Sequence, residues 1–262
     1  MKRICGVLLA LLFCCSGCNA PAPKKAAETE LIIFAAASLT ETMTEIAERY
    51  TAEHPDLSIV FNFDSSGTLK TQIEEGADCD LFLSAGQKQM DALASANLLL
   101  LGSRTDLLEN RVVLCVPDGN PKGVDGFDTL AARLKEGDIL FAMGNSDVPV
   151  GQYTQKILTF YGLDEAALAA SGTITYGSNA KEVTTQIAEA SVDCGVVYAT
   201  DAASAELTVI DSASTEMCGQ VIYPAAVIGT SAHIDAAQAF LNHLKGESAM
   251  AVFQAVGFAP VR

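Results

Sequence analysis

Short hydrophobic runs alternate with amphipathic stretches along most of this chain, beginning at Leu31. The hydrophobic runs have the length of buried strands, and the stretches between them carry apolar residues at helical spacing. A strand followed by a helix and another strand is typical of βαβ units, whose strands lie parallel in one sheet. The first series has the strands LIIFAAA, LSIVFNF and DLFLSA, with helices predicted over 39–52, 68–75 and 87–95.

The same alternation returns in a second series and then in a shorter closing segment. We therefore predict an α/β fold of two lobes, in which the end of the chain returns to the first lobe. Predicted lobe 1 covers 30–108 and 223–262, and predicted lobe 2 covers 109–222. The later strands are RVVLCVP, DILFAMG, TITYG, CGVVYA and VIYPAAVIG, and the later helices are predicted over 151–161, 180–190, 234–244 and 247–256.

The first 30 residues have a different pattern, which predicts export. Two basic residues precede an apolar stretch over 4–13, which is shorter than the roughly 20 residues of a membrane-spanning helix. Small residues come directly before Cys18, an order that resembles the lipobox of bacterial lipoproteins. We predict a signal peptide over 1–17, lipid attachment at Cys18 and a tether over 18–30. An ordinary cleaved leader and an uncleaved anchor are the alternatives.

Composition limits the classes of function. In 262 residues, 32 Asp and Glu stand against 16 Lys and Arg, so the formal net charge of -16 argues against nucleic-acid binding through a basic surface. Hydrophobic residues make up 50% of the chain, which is enough for a packed core. No apolar run after the leader approaches the ~18 residues of a membrane span. We predict a globular body of about two domains outside the cytoplasm.

The spacing of cysteines and histidines predicts no metal site. Four cysteines belong to the leader or the anchor, and Cys79, Cys115, Cys194 and Cys218 lie far apart without a CxxC pair. We expect these four to be buried free thiols, although a disulfide is permitted outside the cytoplasm. The three histidines lack ligand spacing, and the chain has no GxSxG, P-loop or strand-linked GxGxxG pattern. No cofactor or catalytic centre is predicted.

Candidate binding residues gather where a predicted strand passes into a helix. In an open α/β sheet, ligands lie at the carboxyl ends of strands, where helix N-termini offer free backbone N–H groups. The junctions share uncharged hydrogen-bond donors, which suit a compact oxyanion. Structural interpretations compete: Ser38 with Glu41, and Asn179 with Glu182, fit capping boxes, while Tyr198 fits ordinary packing. The junction segments are FAAASLTE, FDSSGTLKTQI, DVPVGQYTQK, GSNAKEVTTQI and GVVYATDA.

Taken together, the segments resemble the substrate-binding component of bacterial molybdate ABC transporters. The resemblance covers nearly the whole chain, from Leu31 to Phe258. It implies a periplasmic-binding-protein fold (type II), in which two α/β lobes close around a cleft, and a tetrahedral molybdate or tungstate anion as ligand. It also implies a membrane permease and its ATPase as partners, and we expect a monomer. The motifs are FAAASLT, SSGTLKTQIEEGADCDLFLSAGQKQMD, VPVGQY, GVVYATDA, YPAAVI and FQAVGF.

The resemblance further implies a set of ligand residues. In lobe 1, Ser38 and Ser66 would donate hydrogen bonds from their hydroxyl and backbone N–H groups. In lobe 2, Val150 and Ala180 would donate through backbone N–H groups, and Tyr198 through its phenolic O–H. Molybdenum would therefore be held as an oxyanion through these residues, without a direct cluster of metal-binding side chains.

Other functions stay open at the level of the sequence. The ligand could be another oxyanion such as sulfate, or a ferric ion, although iron sites of this fold use paired tyrosines and one Tyr is expected here. An enzyme on the same fold would use Ser38 or Tyr198, yet no base is recognisable beside either. A sensor module is a third alternative. For an anionic ligand, most carboxylates should lie on outer helix faces, and the orientations of Asp64 and Lys181 are left undecided.

Overall fold

Residues 29–261 of the chain, described in a computed structural model, form two α/β lobes. Within this range the strands form one six-stranded and one five-stranded sheet. The six-stranded sheet belongs to lobe 1 and has the strand order β11-β4-β10-β3-β1-β2. Its strands are β1 (Thr29–Ala36), β2 (Leu57–Asp64), β3 (Leu81–Leu83), β4 (Thr105–Asn110), β10 (Val221–Val227) and β11 (Ala259–Pro260). Its helices are α1 (Thr40–Glu53), α2 (Ser66–Glu74), α3 (Gln87–Ser95), α10 (Ile234–Leu244) and α11 (Glu247–Ala255).

The chain passes from lobe 1 to lobe 2 after β4 and returns before β10, and we call these two passages the crossings. Lobe 2 lies between them and has the strand order β7-β6-β8-β5-β9. Its strands are β5 (Val112–Val116), β6 (Phe141–Gly144), β7 (Ile174–Gly177), β8 (Cys194–Tyr198) and β9 (Thr208–Ser212). Its helices are α4 (Phe127–Glu136), α5 (Pro149–Phe160), α6 (Glu165–Ala170), α7 (Ala180–Ala188), α8 (Ala199–Ser204) and α9 (Thr215–Cys218).

Both sheets are mixed, so the prediction of a largely parallel sheet is wrong for the strands next to the crossings. The βαβ parts are parallel, as predicted: β1 pairs with β2 and β3, and β6 pairs with β7 and β8. By contrast, β10 is antiparallel to β3 and β4, and β5 is antiparallel to β8 and β9. The difference arises because a chain that returns from the other lobe enters the sheet from the opposite end.

Strands in the interior of the sheets are hydrophobic on both faces because helices cover both sides of each sheet. In β1, Leu31 and Ile33 point to the large core that includes α1 and α10. Phe34 points the other way, into a smaller cluster with Leu69 of α2 and Met90 of α3. This two-sided packing fixes the strand ends, and with them the helix N-termini that follow.

Strand β1 includes two residues before the first apolar residue of the hydrophobic pattern. Strand β1 starts at Thr29, whereas the sequence places the start of folding at Leu31. The predicted signal peptide over 1–17 and the predicted lipid anchor at Cys18 lie outside the described residues. At the crossings, β4 runs through Asn110 and β10 begins at Val221, each within two residues of the predicted lobe boundary.

The four cysteines after the leader are free and buried, which confirms the prediction for their thiols. Burial raises the pKa of the thiols of Cys79, Cys115 and Cys194 to about 12. A thiol with so high a pKa stays protonated at neutral pH and is a poor nucleophile and metal ligand. These cysteines therefore act as small core residues.

Candidate functional site

A small cavity lies where the carboxyl ends of strands from both lobes meet. Its volume is about 10 Å³, against the roughly 300–1,000 Å³ of pockets that hold drug-sized ligands. A space of this size excludes drug-sized ligands, and it would have to widen to admit even a compact ion. The wall consists of residues 36–38, 64–66 and Ala85 from lobe 1, and of residues 148–149, Ala180 and Tyr198 from lobe 2.

The structure brings four of the five predicted ligand residues to this cavity. Ser38, Ser66, Ala180 and Tyr198 line it directly. Val150 is buried in the first turn of α5, one residue beyond Pro149, which does line the cavity. Both lobes therefore contribute residues to the wall, and Val150 is set one position back from it.

The hydroxyl oxygen of Ser66 acts as a hydrogen-bond acceptor within lobe 1. Its Oγ accepts from the backbone N–H of Ala85 at 2.9 Å. Helix α2 is capped instead by Ser65, whose Oγ accepts from the N–H of Thr68 at 3.1 Å. Since the protein already supplies a donor to Ser66, the hydroxyl hydrogen of Ser66 is left to donate into the cavity.

The alternative interpretation of Ser38 as a helix cap is wrong. Ser38 lies in a short 3₁₀ turn over Ala37–Leu39, and α1 begins after it with no side-chain cap. Its Oγ contacts the hydroxyl of Tyr223 at 3.1 Å. The 3₁₀ turn displaces Ser38 from the N-cap position, so its side chain turns toward the space between the lobes. Asn179 does cap α7, accepting from the N–H of Glu182 at 3.0 Å.

Three helix N-termini converge on the cavity with unused donors. Ser66, Val150 and Ala180 lie in the first turns of α2, α5 and α7, where an N–H group has no intrahelical acceptor. Among the described residues, no acceptor contacts any of these three N–H groups. The helix dipoles add partial positive charge at the same ends. An anion is the ligand that this arrangement favours.

Tyr198 ends β8 and reaches across to lobe 1. Its hydroxyl donates to the carbonyl oxygen of Ala85 at 3.2 Å. Burial raises the pKa of Tyr198 well above its usual value, and so keeps the phenol neutral and able to donate. A bound anion would compete with the Ala85 carbonyl for the hydroxyl hydrogen.

A second tyrosine, which the sequence interpretation did not assign to the site, stands beside Tyr198. The rings of Tyr198 and Tyr223 lie 5.4 Å apart, and burial also raises the pKa of Tyr223 well above its usual value. The motif YPAAVI contains Tyr223, but its spacing from Ser38 along the chain gives no sign that the two hydroxyls meet. Only the sheet order, which places β10 two strands from β1, brings them together.

The lobes are closed on each other at the edge of the cavity. Lys181 of α7 makes an ion pair with Glu41 of α1, with its Nζ 2.7 and 2.9 Å from the two carboxylate oxygens. Lys181 thus points to the other lobe and not into the cavity. Both side chains are partly exposed, so solvent screens the pair and it contributes little to stability.

Asp64 is the one carboxylate on the cavity wall among the described residues. Its Oδ1 accepts from the backbone N–H of Ser65 at 2.6 Å, and this hydrogen bond engages one of its oxygens. Within the described residues, the buried carboxylates elsewhere are those of Asp80 and Asp201. Most carboxylates therefore lie on the outer faces, as an anion site in an acidic protein requires.

Asp201 is an unusual buried carboxylate behind the site. It is 2% exposed, and neither carboxylate oxygen has a hydrogen-bond partner among the described residues. Desolvation raises its pKa to about 7, and the charge of Glu41 adds to this rise while that of Lys181 opposes it. Burying an unpaired carboxylate is costly, and a raised pKa lets the group take up a proton instead.

We expect Asp201→Asn to stabilise the protein at pH 8 and not at pH 4.5. Because the pKa of Asp201 is higher in the folded state, the folded protein binds more protons between about pH 4 and 7, so wild-type stability falls across that window. Asn carries no charge and removes this loss, which is on the order of 1–4 kcal/mol. Melting temperatures of both proteins at the two pH values test it. The exposed Asp118→Asn is the control, and an equal shift at both pH values would contradict the assignment.

Neither a metal site nor a membrane-spanning helix is found among residues 29–261. No group of three His, Cys, Asp or Glu side chains within 29–261 is placed to hold a metal ion. None of the helices in the same range has the length and apolar character needed to cross a membrane.

Comparison with known proteins places this chain among solute-binding proteins. The family described as "Bacterial extracellular solute-binding protein" matches residues 31–259. The molybdate-binding protein ModA of Mycobacterium tuberculosis is 30% identical over 261 residues, which cover 98% of this chain and 95% of that protein. The periplasmic molybdate-binding protein of Azotobacter vinelandii has a similar structure, with a TM-score of 0.78 at 23% identity, covering 88% of this chain and 100% of that one. The sulfate-binding protein SubI of Mycobacterium tuberculosis gives a TM-score of 0.73 at 17% identity, over 89% of this chain and 87% of that one.

Proposed function

The chain belongs to the family of bacterial extracellular solute-binding proteins, and from that premise we propose that it captures molybdate or tungstate outside the cytoplasm and delivers the anion to the permease of an ABC transporter. The relatives named molybdate-binding proteins support this choice of ligand. The proposed ligand is the anion itself, and the mechanism requires no cofactor and no covalent step.

The observation that carries the proposal is the donor set of the cavity. Two serine hydroxyls, one buried phenol and three helix N-termini surround a space with no Lys, Arg or His on its described wall. Neutral donors arranged around a compact space suit a tetrahedral dianion, because each oxygen receives hydrogen bonds without a counter-charge. In a buried site, hydrogen bonds to a charged group are worth about 1.5–3 kcal/mol each.

The proposed cycle is capture, closure and release. The anion first meets the donors of lobe 1, namely Ser38 and Ser66. Closure then brings the N-termini of α5 and α7 and the hydroxyl of Tyr198 onto the same anion. The Lys181–Glu41 pair joins the lobes when they are closed, and without an anion the Tyr198 hydroxyl donates to Ala85 of the other lobe instead. A ligand that contacts both lobes favours this closed state, which the permease would recognise.

An enzymatic role is poorly supported by the contacts of the same residues. Ser38 contacts the hydroxyl of Tyr223, which is no base, and Ser66 contacts a backbone N–H group. The raised pKa of Tyr198 keeps its phenol protonated, so it is a weak nucleophile and a weak acid. The relatives are also solute-binding proteins.

Sulfate is the second candidate, because a sulfate-binding protein shares the fold. A ferric ion is less compatible, although two tyrosines meet at the site. Both phenols have pKa values raised well above the usual range, and their hydroxyls are engaged by neutral protein groups, whereas iron binding requires phenolates.

Isothermal titration of the purified whole chain with molybdate, tungstate, sulfate, phosphate and ferric citrate tests the proposal. We expect tight binding of molybdate and tungstate, with sulfate and phosphate at least 100-fold weaker, by about 3 kcal/mol. Binding of sulfate in preference to molybdate would move the assignment to the second candidate. Absence of heat with both molybdate and tungstate would contradict the proposed function.

Lipid anchoring at Cys18 after removal of residues 1–17 is part of the same proposal, as is action as a monomer. Mass spectrometry of the membrane fraction tests the anchor. The expected N-terminal peptide begins at Cys18 and carries a diacylglyceryl group, and Cys18→Ala should release the protein from the membrane. Recovery of wild-type protein with an unmodified Cys18 would contradict the anchor and leave the binding proposal in place.

A further inference from the structure

A chain of buried polar side chains leads from the connection between the lobes to Ser38. Asn110 is the last residue of β4, and it is 4% exposed. Tyr223 in β10 is 1% exposed, and Ser38 at the cavity is 7% exposed. Their contacts are continuous: Nδ2 of Asn110 lies 3.3 Å from the hydroxyl of Tyr223, which lies 3.1 Å from Oγ of Ser38.

The direction of the first hydrogen bond in this chain is fixed by the backbone. Oδ1 of Asn110 accepts from the N–H of Arg111 at 2.8 Å, which assigns the amide oxygen and nitrogen of the side chain. The NH₂ group therefore faces the other way, where it donates to Oγ1 of Thr200 at 2.9 Å and to the hydroxyl of Tyr223. Both of its hydrogens are thus used.

The second hydrogen bond joins the hydroxyls of Tyr223 and Ser38, and either oxygen can be its donor. The hydroxyl of Tyr223 receives a hydrogen from Asn110 and has one hydrogen of its own to donate. Oγ of Ser38 lies 3.1 Å from it, and Tyr198, whose own hydrogen is donated to the Ala85 carbonyl, is a second hydrogen-bond neighbour. When Tyr223 donates its hydrogen to Ser38, Ser38 acts as the acceptor in that bond.

We propose that Asn110 and Tyr223 are positioning residues that commit the Ser38 hydroxyl to donate to the ligand, and so make the site selective for fully deprotonated oxyanions. This inference rests on the proposed function. With its acceptor capacity toward the protein filled by Tyr223, Ser38 directs its own hydrogen into the cavity, as Ser66 does under the N–H of Ala85. A ligand that carries an O–H group, such as hydrogenphosphate, then finds donors where its own hydrogen needs an acceptor, which is a costly mismatch.

A double-mutant cycle measures whether Tyr223 acts through Ser38. We expect Tyr223→Phe to weaken molybdate binding by about 10-fold, because Ser38 loses its fixed orientation. In a Ser38→Ala background the same Tyr223→Phe change should cost less than about 2-fold, since the hydroxyl on which it acts is gone. Titrations of the four proteins at pH 7.5 give this coupling, and Tyr161→Phe, which removes the hydroxyl that donates to Asp128 elsewhere in lobe 2, is the matched control.

The ratio of molybdate affinity to phosphate affinity would stay unchanged if Tyr223 had a purely structural role. In Tyr223→Phe the Ser38 oxygen becomes free to accept from hydrogenphosphate, so the ratio should narrow by about 10-fold. The proposal would be overturned if Tyr223→Phe weakened molybdate binding equally in the wild-type and Ser38→Ala backgrounds and left the ratio of molybdate to phosphate affinity unchanged.

Neutron diffraction from crystals of the deuterated, ligand-free protein tests the relay independently of binding. We expect deuterium on the Tyr223 oxygen, directed to Oγ of Ser38. Deuterium on Ser38 directed to Tyr223 would overturn the inference. If the wild-type protein bound no oxyanion while the deuterium lay on Tyr223, the proposed function would fail and the hydrogen-bond relay would stand.

Discussion

Gly67→Ala should lower the affinity for molybdate by about 100-fold or more while leaving the ligand-free protein folded. Gly67 is in the first turn of α2 in lobe 1, and a Cβ atom there would lie 2.1 Å from the carbonyl oxygen and 2.8 Å from the carbonyl carbon of Asp147 in lobe 2. Those atoms are backbone and cannot rotate away. The lobes would have to stay apart, and the donors of α5, α7 and Tyr198 would no longer reach an anion held by lobe 1.

The expected loss is a loss of closure, and two measurements separate it from a loss of folding. Titration calorimetry gives the affinity, and small-angle scattering in saturating molybdate should show that the variant stays more extended than the wild type. The melting temperature without ligand should not fall, since Ala favours a helix over Gly by about 1 kcal/mol.

Gly229→Ala is the matched control for this change. Gly229 follows β10 in lobe 1, and a Cβ atom there would make ordinary contacts of 3.4 Å with the backbone of Leu98 and Leu99. Its affinity for molybdate should match that of the wild type. If Gly67→Ala also bound molybdate normally, the closed arrangement of the lobes would not be the binding state.

The sequence predicted those parts of the fold that depend on local hydrophobic spacing. Helices α3 and α10 begin and end at the predicted residues, because their apolar positions form one continuous stripe. Strand β4, by contrast, has no such signal in the sequence. Its sequence TDLLEN has polar residues at both ends and lacks an apolar run, and it is a strand because β10 and β11 pair with it on both sides.

The sequence predicts local structure at the cavity where one junction acts alone, and it misses contacts between distant segments. Pro149 at the start of α5 and Asn179 at the N-cap of α7 follow local rules, but the capping box of Asn179 is incomplete, because the Glu182 carboxylate accepts from Ser178 instead. The contact of Ser38 with Tyr223 spans 185 residues along the chain, and no local pattern encodes it. Resemblance to a family carried the ligand residues over as a set, but it did not reveal which groups orient them.

The same limit applies to charge. Composition gives an excess of carboxylates, but it does not tell which are buried. Asp201 follows Tyr198 by three residues in the motif GVVYATDA, and its burial without a hydrogen-bond partner appears only when α8 is packed against β5 and β8. An acidic protein can bind an anion because the acidic side chains are distributed away from the cavity, apart from Asp64.

The Ser38→Ala, Ser66→Ala double variant should lose about 100-fold to 10,000-fold in molybdate affinity, because each hydroxyl contributes a hydrogen bond to a charged ligand worth about 1.5–3 kcal/mol. Its melting temperature should fall by several degrees, since the hydroxyl of Tyr223 and the N–H of Ala85 each lose a hydrogen-bond partner, but circular dichroism should show a folded protein at the temperature of the titration. The exposed pair Ser95→Ala and Ser191→Ala removes two hydroxyls away from the cavity and should bind normally. Unchanged affinity in this double variant would mean that the anion binds elsewhere. The single variants Ser38→Ala and Ser66→Ala divide the effect: if only one of them loses affinity, that serine makes the first contact with the anion.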